Sequence, residues 1–240
     1  MNEPTPVHIP TQHEMASTIY TRLCSAVEPR RLPGSGMELA YFPQAFNEQW
    51  ITSLPLPVDD RDPGQTVALV DEDAFQRQVS EKAIAAAYSQ RPRTRVFESI
   101  HARSDGWFSL VALWLTGQLR NPVICTMYES DAGDLNLGAH DDEWDGVIVQ
   151  MRGSKLWRLW PEPQSHQREL VTRAGDVLLL PRGVRHAVQT PDYSVHMVLA
   201  VTDEPLAAFA SQPLARPVAG GRGDTARAGA ISSRKPVTQF

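Results

Sequence analysis

The strongest constraint on the fold lies after Pro122. There the chain breaks into short runs of β-branched and aliphatic residues, at 123–128, 146–151, 155–160, 176–180 and 194–201, separated by Gly, Asp or Pro turns. Strands this short and this regularly spaced predict a barrel or jelly roll. In such a fold alternate residues face inward, so an ion or small ligand is held inside by side chains two apart in sequence.

The first half reads differently. Met15, Ile19, Leu23 and Val27 recur every four residues, which predicts one face of a helix from 11 to about 27, ended by Pro29 and Pro33-Gly34. Residues 39–62, with Pro43, Pro55 and Pro57, read as short strands or turns leading into an apolar strand at 66–70. Residues 71–88 open with acidic side chains and run into alanines, and are expected to be helical, as are residues 106–119, with Trp107, Leu110, Val111, Trp114 and Leu115 on one side. The first half is therefore expected to be mostly helical, and the fold class to be α+β, mainly β: a barrel flanked by N-terminal helices. We expect a single domain at 11–204, with a helical part at 11–120 and a barrel core at 121–204. A flexible start (1–10) and a flexible tail (205–240) flank it. The tail is rich in Pro, Gly, Ala, Ser and Arg, with Gly220-Gly221-Arg222-Gly223 at its centre and few large apolar residues to order it.

Composition narrows the classes of function. With 42% hydrophobic and 21% charged residues the chain has the makings of an ordinary buried core. A net charge of -5 gives no general attraction to polyanions, so broad nucleic-acid binding is not expected. Cys24 and Cys125 lack zinc-finger or CxxC spacing and do not suggest a disulfide framework. The first residues have neither a basic nor an apolar signal region, and no run reaches the ~18 apolar residues of a membrane span, so a cytoplasmic protein without membrane association is expected.

The chemistry concentrates in Gly138-Ala139-His140-Asp141-Asp142-Glu143-Trp144-Asp145. An imidazole and a carboxylate two residues apart project to the same side of an extended chain, whereas Asp141 points away. His140 alone would be unremarkable. Two histidines and one carboxylate on one face of an octahedron, however, are the donor set of non-haem iron(II) sites. His186 is the natural third ligand, because it follows Gly175 to Gly183, a turn, a buried strand and a second turn that return the chain toward the site.

Lys155 is one of only three lysines, and shares a strand face with Trp157 and Leu159. A lysine among apolar neighbours inside a barrel needs a counter-ion, and the far carboxylate of a 2-oxo diacid would supply it. Arg158, of opposite parity, is expected outside.

Together these residues resemble the JmjC-type, cupin-like 2-oxoglutarate oxygenases, the group that includes ribosomal oxygenases and the asparaginyl hydroxylase of hypoxia-inducible factor. The resemblance spans roughly residues 107–202: the apolar helix, the glycine before His-x-Asp, the strand 145–150, the Gly153-Ser154-Lys155-Leu156-Trp157 segment, and the segment from Gly175 to His186. It implies a double-stranded β-helix, Fe(II) on His140, Asp142 and His186, and a 2-oxoglutarate salt bridge at Lys155. It further implies that strand residues after the second histidine complete the cosubstrate pocket, which makes Ser194 and His196 candidates; His196 reads equally well as a satisfied core histidine. The implied reaction oxidises 2-oxoglutarate to succinate and carbon dioxide while hydroxylating a C–H bond, on a peptide, protein or amino-acid side chain. Trp144, Met127 and Tyr128 are candidate pocket walls. Two rivals stand beside this reading. A non-catalytic cupin binding a metal or ligand would have no use for Lys155, and a cupin enzyme independent of 2-oxo acids would form no succinate. Arg91, Arg93, Arg95 and Arg103 are expected to form a solvated charged surface.

Overall fold

In the computed structural model, which describes residues 10–32, 36–59, 61, 64–103, 105–162 and 166–203, one strand holds the two layers of the barrel together. The elements in chain order are α1 (Gln12–Val27), β1 (Arg31–Leu32), β2 (Gly36–Met37), β3 (Ala40–Phe42), α2 (Glu48–Thr52), β4 (Val67–Val70), β5 (Phe75–Gln78), α3 (Glu81–Gln90), β6 (Thr94–Phe97) and α4 (Trp107–Leu119). There follow β7 (Val123–Ser130), β8 (Asp145–Trp160), β9 (Arg168–Arg173), β10 (Val177–Leu180), β11 (Arg185–Gln189) and β12 (Ser194–Val201). The main sheet runs β3-β10-β8-β12-β7-β6-β4-β5, and β9 and β11 both pair with β8 outside that path. The first part of β8 lies between β10 and β12, and its second part lies between β9 and β11. This is a double-stranded β-helix of the cupin or jelly-roll kind.

Residues 146–151 and 155–160, expected as two strands, are therefore one continuous strand of 16 residues. Gly153 makes this so by acting as an irregularity within the strand rather than as a turn. Its φ is +61°, and a Cβ there would lie 1.7 Å from the Tyr193 carbonyl oxygen, so only glycine fits. The register against β12 also shifts between Val195 and His196, a bulge that re-aims the side chains entering the barrel.

The two larger cores lie on opposite faces of the main sheet, and a small third cluster of Ala68, Val70 and Val96 lies on β4 and β6. On the outer face α1 and α4 pack against alternate residues of β12 such as Val195, Met197 and Leu199. Thr11 and Glu14 form a capping box that starts α1, and its four-residue stripe of Met15, Ile19, Leu23 and Val27 is buried as the spacing predicts. Burial of each such side chain contributes about 1.5–3 kcal/mol. The inner face holds a smaller cluster, with Ile148, Trp157, Leu178, Leu180 and Val198 inside the barrel. Met127 belongs to the outer core and so does not face the barrel interior.

The first half is less helical than expected, since β3, β4, β5 and β6 all join the main sheet. Residues 71–88 are not one helix. The Asp71 carboxylate accepts hydrogen bonds from the backbone N–H groups of Asp73 and Ala74, closing a hairpin turn between β4 and β5, and α3 begins only after Ser80 caps it. Of the arginines expected at a solvated surface, Arg103 is exposed and Arg91 partly so, but Arg93 and Arg95 are not. Arg93 is buried with its guanidinium on Asp71 and Gln76, and Arg95 is engaged by Glu129 and Asp131. The expected flexible tail at 205–240, and all of the expected flexible start except Pro10, lie outside the described residues.

Candidate metal centre

His140 and His186 are brought together by their own backbones. The His140 N–H donates to the His186 carbonyl at 2.9 Å and the His186 N–H to the His140 carbonyl at 2.7 Å, so the loop between β7 and β8 is held against the start of β11. The Gly183 N–H donates to the Asp142 carbonyl at 2.8 Å and fixes the third residue to the turn before β11. Ligand atoms of His140, Asp142 and His186 all lie within 4.8 Å of one another. His140 Nε2 is 3.8 Å from Asp142 Oδ1, and His186 Nε2 is 3.6 Å from Asp142 Oδ2. The donors converge but are too far apart to hydrogen-bond one another.

The donor set fits a metal ion on its own chemistry. His140 Nδ1 is 2.7 Å from the Gly138 carbonyl and His186 Nδ1 is 3.0 Å from the Val184 carbonyl. A carbonyl only accepts, so each Nδ1 carries the proton, and each Nε2 turns a lone pair toward the shared centre. Asp142 is buried and Asp141 exposed, which separates the inward carboxylate from its neighbour. Burial pushes the Asp142 carboxyl up to about 6, against the pull of His140. Burial, and then the proximity of the His140 ring, push His186 down to about 4. At neutral pH the carboxylate is thus ionised and His186 neutral, the forms that bind metal.

Lys155 lies in the same pocket and is completely buried, at 0% exposure. Its neighbours Trp157 and Leu159 share its inward face, while Arg158 turns outward to Glu169, as the strand parity predicts. Lys155 Nζ donates to Ser130 Oγ at 2.9 Å and Thr190 Oγ1 at 2.7 Å, and among the described residues no carboxylate pairs with it. Burial pushes the amine down to about 7, partly offset by the more distant Asp134. Behind it, Thr94 Oγ1 contacts Ser130 Oγ at 2.9 Å and donates to Asn136 Oδ1 at 2.9 Å. Ser130, Thr190, Thr94 and Asn136 escape a reading of the sequence, although the inward parity of Tyr128 on β7 also marks Ser130.

His196 and Ser194 differ in their placement. His196 lines the pocket, stacked on Tyr128 at 4.9 Å and edge-on to Trp157 at 5.7 Å, with Nδ1 buried and without a hydrogen-bond partner among the described residues. Burial and then Lys155 hold it well below the usual imidazole range, so it is neutral. Ser194 is not among the pocket-lining residues; its hydroxyl accepts from Gln150 Nε2 at 2.8 Å in a buried layer behind. Trp144 and Tyr128 line the pocket.

Residues 114–173 match the family model described as "JmjC domain". This stretch of the chain is similar to a JmjC domain. It contains His140, Asp142 and Lys155 and stops before His186, which the fold alone brings to the site. Ribosomal oxygenase 2 from Mus musculus is 29% identical over 92 residues, which cover 31% of this chain and 20% of that protein. The bifunctional lysine-specific demethylase and histidyl-hydroxylase NO66 from Caenorhabditis briggsae is 30% identical over 91 residues, covering 29% and 12% respectively. The match to Ribosomal oxygenase 2 thus spans about a fifth of that protein's length. The crystal structure of E. coli ycfD superposes with a TM-score of 0.50 at 14% identity, covering 84% of this chain and 62% of that one, and shares the domain's fold. No helix among the described residues is long and apolar enough to cross a membrane.

Proposed function

We propose that this chain is an Fe(II)- and 2-oxoglutarate-dependent dioxygenase that hydroxylates a C–H bond of a peptidyl or amino-acid side chain, including side chains of peptide natural products. The observation that carries this reading is the pairing, in one pocket, of a two-histidine, one-carboxylate cluster with a completely buried lysine that has no carboxylate partner among the described residues. A cation kept from water without a counter-charge is costly, and a ligand that brings the missing anion recovers that cost.

In this reading His140, Asp142 and His186 would hold the iron, a donor set suited to a non-haem iron(II) site. When bound, the iron supplies the oxidising chemistry, with 2-oxoglutarate converted to succinate and carbon dioxide and one oxygen atom passed to the acceptor. The carbonyls of Gly138 and Val184 keep both imidazoles in the ligating tautomer. Lys155, steadied by Ser130 and Thr190, takes the far carboxylate. His196 and Tyr128 form the wall between, with Ser194 supporting it through Gln150. The names of the relatives, an oxygenase and a histidyl-hydroxylase, support a protein or peptide acceptor. A cytoplasmic setting is part of the same proposal.

Titration of 2-oxoglutarate into protein loaded with manganese(II), with oxygen excluded, tests the reading. Saturable binding is expected, and it should vanish when metal is withheld or Lys155 is replaced by Met. Equal binding with and without metal would refute it.

A further inference from the structure

The two segments that supply the triad are also joined by an ion pair whose members do not line the pocket. The pairing of β10 with β8 ends at Leu180 opposite Gly146. Pro181 has no N–H to extend it, and the next one, of Arg182, donates instead to Asp145 Oδ1 at 3.0 Å. The Arg182 guanidinium closes on the same carboxylate, with Nη2 3.0 Å from Oδ2 and Nε 3.4 Å from Oδ1, and reaches outward to Asp203 beyond the end of β12. Asp145 follows Asp142 by three residues, and Arg182 precedes His186 by four. The pair therefore spans from the segment of His140 and Asp142 to the turn that delivers His186.

Asp145 is 2% exposed, and the chain at Gly36 closes over it, since a Cβ there would lie 3.1 Å from Oδ1. Taking an ion pair out of water costs about as much as the attraction returns, so well-packed apolar side chains would hold these segments at least as firmly. What an apolar contact lacks is direction. A carboxylate that accepts from both a backbone N–H and a planar guanidinium fixes the angle as well as the distance between the chains that carry them. The backbone bonds between His140 and His186, and from Gly183 to Asp142, form whatever the side chains are, whereas this tie depends on the identity of both residues. We propose that Asp145, acting through Arg182, is a positioning residue that sets where His186 stands relative to His140 and Asp142, and so tunes the affinity and geometry of the metal centre. The inference rests on the metal centre of the proposed oxygenase and adds two residues to its support. Outer partners of metal ligands are worth ~10–100-fold in metal affinity, and Asp145, which acts through the chain rather than on a ligand atom, belongs at the lower end.

The test titrates cobalt(II), whose visible absorption bands report ligand geometry, into full-length protein without oxygen. Affinity, the spectrum at saturation and the melting temperature are recorded for the native protein, Asp145→Asn, Asp203→Asn and Leu23→Ala. Asp145→Asn keeps an acceptor for the Arg182 N–H but removes the charge that holds the guanidinium. It is expected to bind cobalt about tenfold more weakly, with shifted bands at saturation. Leu23→Ala, in the outer core, should melt lower yet keep the native affinity and spectrum, and Asp203→Asn, at an exposed side chain, should keep both as well. Native affinity and spectrum in Asp145→Asn would overturn the inference, as would equal losses in Leu23→Ala. If Asp145→Asn does not fold, Arg182→Gln carries the test with the same two outcomes, because it keeps the backbone donor and loses the ion pair. Cobalt binding by native protein that takes up no 2-oxoglutarate would instead overturn the oxygenase reading and leave this inference standing; no cobalt binding by the native protein would overturn both.

Discussion

Binding of 2-oxoglutarate should be coupled to proton uptake by Lys155. In the empty pocket the amine titrates at about 7, held down by burial. At about pH 8 only ~10% of it is charged, so a ligand carboxylate that restores an ordinary lysine value draws in ~0.9 proton. At about pH 6 the amine is already ~90% charged and the uptake falls to ~0.1. The charged amine is the binding form, so the sign is fixed. Affinity is level below about pH 7 and weakens as pH rises above it, by ~50-fold between about pH 7 and about pH 9. Pyruvate, which has the 2-oxo acid but no far carboxylate, should show no such trend, and the ratio of the two affinities cancels pH effects at the metal. Calorimetric titrations of manganese-loaded protein in buffers of different ionisation enthalpy give both the proton count and the affinity. A ratio that stays constant across this range, or equal proton uptake with pyruvate, would refute the role given to Lys155.

Further outcomes follow from the same geometry. Lys155→Met should raise the unfolding temperature while abolishing 2-oxoglutarate binding, because it removes a buried charge worth ~1–4 kcal/mol of destabilisation; the gain, read in thermal melts, should be greatest below about pH 7 and shrink as pH rises to 10.5, above which the amine is neutral in both states. Metal affinity should fall as pH drops through about 6, since the raised carboxyl of Asp142 must lose its proton to ligate, and metal titrations at stepped pH would show it. Asp142→Asn should lower metal affinity by at least ~10-fold to 100-fold at neutral pH, whereas Asp141→Asn, at an exposed position, should change it little. Gly153→Ala should destabilise the fold by at least ~3 kcal/mol in denaturant melts, since the new methyl would collide with the Tyr193 carbonyl.

The site was more legible than its scaffold. His140 and Asp142 can be found from a two-residue spacing, and His186 from the turn-strand-turn before it, because those local patterns are also what positions them. The same holds for β12, whose predicted bounds coincide with Ser194–Val201, and for α1 and α4, where an apolar stripe forms the packing face. One group of failures comes from charge pairing between distant segments. Arg93 and Arg95 look solvated in sequence, yet Asp71 and Glu129 neutralise them and let β6 enter the sheet. β9 and β11 carry exposed polar residues that hide an alternating strand pattern, and become strands because both flank the second part of β8. The hydroxyls around Lys155 come from β7 and from the residue after β11, a convergence that only the closed barrel creates.

The most direct test of the central claim is the formation of succinate from 2-oxoglutarate by the purified protein, measured with iron(II), with the iron chelated, and in His186→Ala. We predict iron-dependent succinate in the native protein, increased by a fitting acceptor and absent in the variant. A folded, iron-loaded native protein that forms no succinate, or a variant that forms as much as the native protein, would contradict it.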